Sequence, residues 1–171
     1  MAKTKYNPLP WEKVEKSIQE EIVWLKNTIS PSPYEKDYCL NCIYRQIAIL
    51  IVSGRITAKN ITSKNNSLWN GKEMLIKKQH GADWHFNMMK KIGGHFQSLG
   101  FRVDVEPTLF RGRADLGIYN KNEKNLFIEV GTISPPKLLL NLRTMHDAKF
   151  LIVPQEDHII EFHVRKADFK K

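Results

Sequence analysis

Asp115 and Glu129 are the residues of this chain whose types and spacing best fit chemistry. They lie in the stretch from Gly112 to Leu138, GRADLGIYNKNEKNLFIEVGTISPPKL, each inside an apolar run that reads as a strand. The polar turn Asn120-Lys121-Asn122-Glu123-Lys124-Asn125 separates the two runs. A strand exposes alternate residues on one face, so the spacing predicts Glu129 and Gly131 on one side and Ile128 and Val130 on the other. Paired as a hairpin, the two strands bring Asp115 and Glu129 together at one edge of a sheet. Two acids placed side by side point to a divalent metal, because burying both carboxylates without a cation is costly. The structural alternative is an ordinary sheet in which the acids are salt-bridged, with Arg113 as a partner. Arg111 and Arg113 either bind backbone phosphates or only neutralise Asp115, and both roles leave them beside the proposed metal.

The elements that must position these acids follow from periodicity. Residues 1–10, with Pro8 and Pro10, read as an extended arm. Trp11, Val14, Ile18, Ile22 and Leu25 then recur at helical spacing, with Glu12 and Glu15 in the first turns where the helix dipole favours acids. Ser30-Pro-Ser-Pro ends that helix. A second helix runs from Tyr34 or Asp37 to Val52 and closes at Ser53-Gly54; its apolar residues cover more than a narrow stripe, which predicts burial or a subunit contact. The polar segment from Thr57 to Lys72 has weak periodicity and reads as a loop. His80 to Leu99 is the next helix, with a stripe of Trp84, Met88, Ile92, Phe96 and Leu99 and a cap at Gly100. Gly93-Gly94 inside it lowers helix propensity by about 1 kcal/mol per glycine, which hints at close packing against a neighbour. After Gly100 the period changes to two: Phe101, Val103 and Val105 alternate with charged residues until Pro107 stops the strand. Beyond the acidic hairpin, Pro135-Pro136 opens a helix through Met145, with Lys137 in its first turn. Lys149 to Val153 and Ile159 to Val164 are two last strands. Helix, three strands, helix, strand, strand is an α/β order with helices against a mixed sheet.

At 171 residues the chain holds about one domain with a helical extension, long enough to bury a sizeable core. No apolar run approaches the roughly 18 residues of a membrane span, and no signal region follows Met1, so the expectation is a cytoplasmic protein. The formal charge is +9, and residues 1–100 hold 15 Lys/Arg against 8 Asp/Glu, compared with 12 against 10 in 101–171. An excess placed ahead of the acidic stretch favours a polyanionic partner, most simply nucleic acid. Lys77, Lys78, Lys90 and Lys91 interleave with His80, Trp84 and His85, a pattern that can track phosphates and stack on bases; a solvated helix face has the same composition.

The two cysteines, Cys39 and Cys42, form a single C-x-x-C. Two thiolates are half of a structural zinc site, and no second C-x-x-C completes it. A redox pair would want a thioredoxin-like context, which is absent. The simpler expectation is two small apolar residues one turn apart at the start of a buried helix.

The order of elements, with Asp on the second strand and Glu on the third, resembles the PD-(D/E)XK nuclease superfamily, the restriction-endonuclease-like fold of restriction enzymes, Holliday-junction resolvases and many repair nucleases. The resemblance covers about residues 80–155 and rests on GRAD (Gly112 to Asp115), IEV (Ile128 to Val130) and their placement after the strand FRVDVEP. It is similar in particular to archaeal and viral Holliday-junction-resolvase-like nucleases. What it implies is an αβββαβ core with a mixed sheet in residues 76–171 and an N-terminal helical extension in 1–75, used for dimerisation or DNA binding. Asp115, Glu129 and the carbonyl of Val130 would hold Mg²⁺ or Mn²⁺ through oxygen ligands. The family's lysine, two residues after the acid on the same strand face, is missing: Gly131 stands there. In some members the lysine moves to the following helix, which makes Lys137 the nearest candidate, with Lys149 and Thr132 as weaker substitutes. The resemblance also assigns a polar residue from the first helix, for which His85 fits, with Glu73 and Asp83 as alternatives. The implied activity is hydrolysis of DNA phosphodiester bonds, on branched or otherwise structured DNA, by a homodimer; the competing expectation is an inactive nuclease fold that binds nucleic acid or a partner protein.

Overall fold

The computed structural model describes residues 10–29, 39–62, 82–109, 111–154 and 158–166. Lys77, Lys78 and Glu73 lie outside these residues, as does most of the expected loop.

Helix α1, Trp11–Thr28, buries Ile18, Ile22 and Leu25 at the spacing of one helical face. Trp11, expected in that stripe, is 68% exposed, because it stands two turns before the first buried residue. Helix α2, Leu40–Val52, buries Ile43, Tyr44, Ile47 and Ala48, and its expected start at Tyr34 or Asp37 lies outside the described residues. Arg45 of α2 grips Glu15 of α1 with two hydrogen bonds of 2.7 and 2.8 Å. That guanidinium holds the Glu15 carboxyl down at about 2. Tyr44 Oη donates to the carbonyl of Ile29 at 2.6 Å, so the end of α1 is tied to the middle of α2. The width of the apolar surface on α2 is explained within the chain: α1 covers one side, and α4 and β1 the other.

Where composition predicts a loop, Ile56–Thr62 is a strand, β1. Its register on β8 pairs Lys59 with Glu161, and the two side chains meet at 3.1 Å. An edge strand with one solvated row mixes polar and apolar residues, which hides its period. Helix α3, Ala82–Ser98, follows. It turns Met88, Met89, Ile92 and Phe96 inward, whereas Leu99, beyond its last turn, is 55% exposed. The chain then forms β2 (Arg102–Val105), a small hairpin of β3 (Thr108–Leu109) and β4 (Gly112–Arg113), β5 (Leu116–Tyr119), β6 (Asn125–Val130), helix α4 (Pro135–Thr144), β7 (Ala148–Val153) and β8 (His158–Val164).

The six-stranded sheet runs β1-β8-β7-β6-β5-β2. All neighbours are antiparallel except β6 and β7, which are parallel and joined through α4. Parallel neighbours need such a crossover. The fold is therefore α/β with a mixed sheet and, among the described residues, four helices. Alternate residues of each strand feed two apolar clusters. On one face Phe127, Phe150, Ile152, Ile160 and Phe162 pack against α1, α2 and α4. On the other, Leu116, Ile118, Ile128, Val130 and Leu151 pack against α3. Strand β7 is covered on both faces and reads as an almost unbroken apolar run, AKFLIV. Because β1 is a strand of this sheet, and α1 and α2 share a cluster with α4, the expected boundary between 75 and 76 is crossed by the sheet and by the core.

The glycine pair of α3 does not mark a close approach. A Cβ on Gly93 would meet Val103 Cγ1 at 3.6 Å, an ordinary contact, and one on Gly94 would meet nothing within 4 Å. Gly94→Ala is therefore expected to raise the unfolding free energy by about 1 kcal/mol. A urea titration that finds no gain would show that the glycine serves something beyond helix geometry.

Candidate functional site

Four elements converge on the two acids: the first half of α3, the entry to β5, the end of β6 and the first turn of α4. Asp115 is not within a strand, as periodicity predicts, but in the link between β4 and β5. Its backbone N–H donates to the carbonyl of Ile128 at 2.9 Å, and the carbonyl of Asp115 accepts from the N–H of Glu106 at 2.9 Å. These bonds fix the residue from both sides before the sheet pairing begins. Its carboxylate Oδ2 accepts the N–H of Val130 at 2.7 Å and lies 3.1 Å from Nε2 of His85 on α3. His85 is thus at the site. The Asp115 carboxylate pairs with this histidine.

Glu129 stands on β6, on the strand face that carries Phe127 and packs against α4. Only 5% of the residue is exposed. Lys137 Nζ donates to its Oε1 at 2.5 Å, while Oε2 is buried with no hydrogen-bond partner among the described residues. Burial pushes the Glu129 carboxyl up to about 7; the Lys137 hydrogen bond opposes the rise, and the charge of Asp115 adds to it. A buried carboxylate oxygen with no donor is costly in isolation, so its geometry calls for a cation or a proton.

Lys137 reaches this place because of how α4 starts. Ser134 is the N-cap, its Oγ accepting the N–H of Lys137 at 3.3 Å, and Pro135 and Pro136 fill the first two helical positions. Proline lacks only an N–H that a first turn leaves unbonded anyway. SPPK therefore both caps the helix and aims the lysine. Gly131, where the resemblance expects the lysine, adopts φ +93°, a conformation side-chain-bearing residues rarely take. Strand β6 ends at Val130, and the N–H of Gly131 turns to bond the carbonyl of Val153 at 2.7 Å. The expected sharing of a face by Glu129 and Gly131 does not occur, because the chain has left the strand.

Asn141 is a residue that sequence reasoning misses. It lies one helical turn after Lys137, fully buried, and its Nδ2 donates to the carbonyl of Arg113 at 3.1 Å. Helix α4 therefore touches both halves of the site, Glu129 through Lys137 and the backbone just ahead of Asp115 through Asn141. A Cβ on Gly112 would sit 1.9 Å from Asn141 Oδ1. The glycine of GRAD is present because the asparagine occupies its side-chain space. The signal was an asparagine at an apolar helix position beside leucines, visible only once the inward face of α4 is known. Gly112→Ala is expected to destabilise the fold by about 1–3 kcal/mol, the range for an overpacked site. An unchanged denaturation midpoint would mean that Asn141 moves aside freely.

The cationic candidates divide. Arg111 and Arg113 are exposed on and beside β4. Lys90 and Lys91 are exposed on the outer side of α3, and Lys90 Nζ lies 4.4 Å from the ring centre of the exposed Phe86. The backbone of Val130 contributes its N–H to Asp115. Lys149 is on β7, whose register places it beside His163 of β8, and the substitute Thr132 is exposed just after Gly131. Asp83 is exposed in the first turn of α3. No group of three or more His, Cys, Asp or Glu side chains in a metal-holding arrangement occurs among the described residues. The donor set is two carboxylates, one of them with a buried oxygen that has no partner among the described residues, which suits a hard cation that keeps several waters. No described helix is long and apolar enough to cross a membrane.

No family model, curated protein or solved structure matches the chain.

Proposed function

We propose that the chain is a metal-dependent nuclease that hydrolyses DNA phosphodiester bonds with a restriction-endonuclease-like core built from α3, β2, β5, β6, α4 and β7. The observation that carries the proposal is the convergence of Asp115, Glu129 and Lys137 with the second oxygen of Glu129 buried and without a partner among the described residues. Asp115 and Glu129 would hold Mg²⁺ or Mn²⁺, which supplies charge neutralisation at the scissile phosphate and acidifies a water. The protein's own part is positional. Val130 N–H and His85 fix the Asp115 carboxylate, and Lys137, held by Glu129, orients the attacking water from α4 instead of from strand β6. Arg111, Arg113, Lys90 and Lys91 supply positive charge for the phosphate backbone, consistent with the +9 of the chain. Branched or structured DNA as substrate and a homodimeric assembly belong to the same proposal.

The test is nicking of plasmid and of synthetic four-way junction DNA with Mg²⁺ or Mn²⁺, comparing the wild type with Asp115→Ala and Glu129→Ala. Both substitutions are expected to abolish metal-dependent cleavage while leaving DNA binding measurable by gel shift. Cleavage that persists in both variants overturns the site. DNA binding by a wild type that never cuts selects an inactive nuclease fold that binds nucleic acid.

A further inference from the structure

The C-x-x-C at the head of α2 is not the pair of buried apolar residues its context predicts: Cys39 and Cys42 are both exposed, and their sulfurs are joined in a disulfide with the Cα atoms 5.3 Å apart. We propose that this pair is a thiol–disulfide exchange site whose co-reactant is a thiol, independent of the nuclease reading.

Three observations carry it. The bond closes a ring of only residues 39–42, and a disulfide restrains the unfolded chain least when its loop is shortest. The start of α2 is also anchored without it. Ile43, Tyr44, Ile47 and Ala48 are buried against α1 and the sheet, Arg45 is clamped to Glu15, and Tyr44 is bonded to Ile29. A staple there has little left to hold. Finally, Cys39 is the N-cap of α2 and Cys42 lies in its first turn, with no acidic residue in that turn. The positive end of the helix dipole favours a thiolate at this position, and accessible low-pKa thiolates are the ones that exchange.

The chemistry balances with two thiols. A thiolate attacks Cys42 Sγ, the Cys39–Cys42 bond breaks, and its electron pair leaves on Cys39 Sγ, the sulfur at the N-cap. A second thiolate attacks the sulfur of the mixed disulfide that belongs to the first. It releases the Cys42 thiolate, which takes up a proton, and the two reductant thiols end as a disulfide. The protein bond is reduced by two electrons and the co-reactant is oxidised by two; a disulfide co-reactant drives the reverse.

The test uses the full chain equilibrated in mixtures of reduced and oxidised glutathione, quenched with an alkylating agent and weighed by mass spectrometry. The expected result is reversible passage between no alkyl groups and two, with both states folded by circular dichroism. Reduction by dithiothreitol is expected to lower the thermal midpoint by less than about 4 °C, since loss of a structural staple of ordinary strength moves a chain of this size further. In single-cysteine variants, the alkylation rate of Cys39 in Cys42→Ser is expected to reach half its maximum at least about one pH unit below the ordinary thiol value of about 8.5, and below the midpoint of Cys42 in Cys39→Ser. The proposal is overturned if both thiols stay alkylatable after oxidised glutathione, if reduction unfolds the protein, if the two variants titrate together, or if the purified chain carries zinc on these thiolates.

Discussion

Lys137→Ala is expected to lower the metal-dependent cleavage rate by about 10²-fold or more, the scale of a lost proton-handling or water-orienting group. The lysine is the only cation bonded to Glu129 among the described residues, at 2.5 Å. Its removal leaves a buried carboxylate with no partner on either oxygen among the described residues. Breaking a buried pair from one side costs about 3–5 kcal/mol when the remaining charge must stay. Here the cost is capped, because a carboxyl already pushed up to about 7 takes a proton instead. The variant should therefore fold at neutral pH, and a loss of rate can be assigned to the site. Moving the lysine to the position the family pattern favours is not expected to rescue it. Gly131→Lys places a side chain on a residue at φ +93°, at a strain of about 1–3 kcal/mol. The backbone there has already turned away from the β6 face. A Gly131→Lys, Lys137→Ala double variant that cuts at the wild-type rate would refute this account of the relocated lysine, and an unchanged rate in Lys137→Ala alone would remove it from the mechanism.

The second large effect is on stability against pH in the absence of metal. The folded-state value of Glu129, about 7, lies above its ordinary value of 4.5, so the folded protein holds this proton more tightly than the unfolded chain. The contribution is fully present below pH 4.5 and is lost as pH rises through about 7. A gap of one pH unit between folded and unfolded values is worth about 1.4 kcal/mol, so the window spans about 3 kcal/mol. Glu129→Gln keeps an acceptor for Lys137 and removes the titration. Measured by urea unfolding in EDTA, the wild type should lose stability relative to Glu129→Gln between about pH 5 and pH 8. Parallel profiles across that window would show that Glu129 is not the buried acid described. Mg²⁺ should raise the wild-type unfolding midpoint with increasing concentration and leave Glu129→Gln little changed, as a ligand of the folded state alone would.

Much of the frame was legible because its signals are local. Ile18, Ile22 and Leu25 sit on one helical face, the SPPK start of α4 carries its own cap, and the run from Ala148 to Val153 is apolar on both faces of a strand. Strand β1 was not legible: Thr57, Lys59 and Asn60 are stable in a sheet because β8 lies beside them, with Glu161 opposite Lys59, and nothing within residues 56–62 announces that neighbour. Trp11 and Leu99 fit their helical stripes but stand past the last turn that meets a partner, which periodicity cannot know. The cysteines were misplaced for a related reason. A wide apolar helix predicts burial all round, whereas in the first turn of α2 Leu40 and Ile43 meet the core and Cys42, like Cys39 before it, is exposed.

At the acids themselves, the sequence alone determined which residues carry the charge, Asp115 and Glu129 on either side of one polar turn and Lys137 in the first turn of the following helix, although it put Asp115 inside a strand that in fact begins at Leu116. Residue type and spacing are enough for that, because turns and caps are decided by near neighbours. Only the tertiary structure decided that Lys137 meets Glu129, that Gly131 has turned out of the strand, that His85 comes over from α3 to Asp115, and that Asn141 fills the space Gly112 leaves. Each of these depends on the relative placement of elements distant in the chain, which is set by packing the two faces of one sheet and not by any single segment.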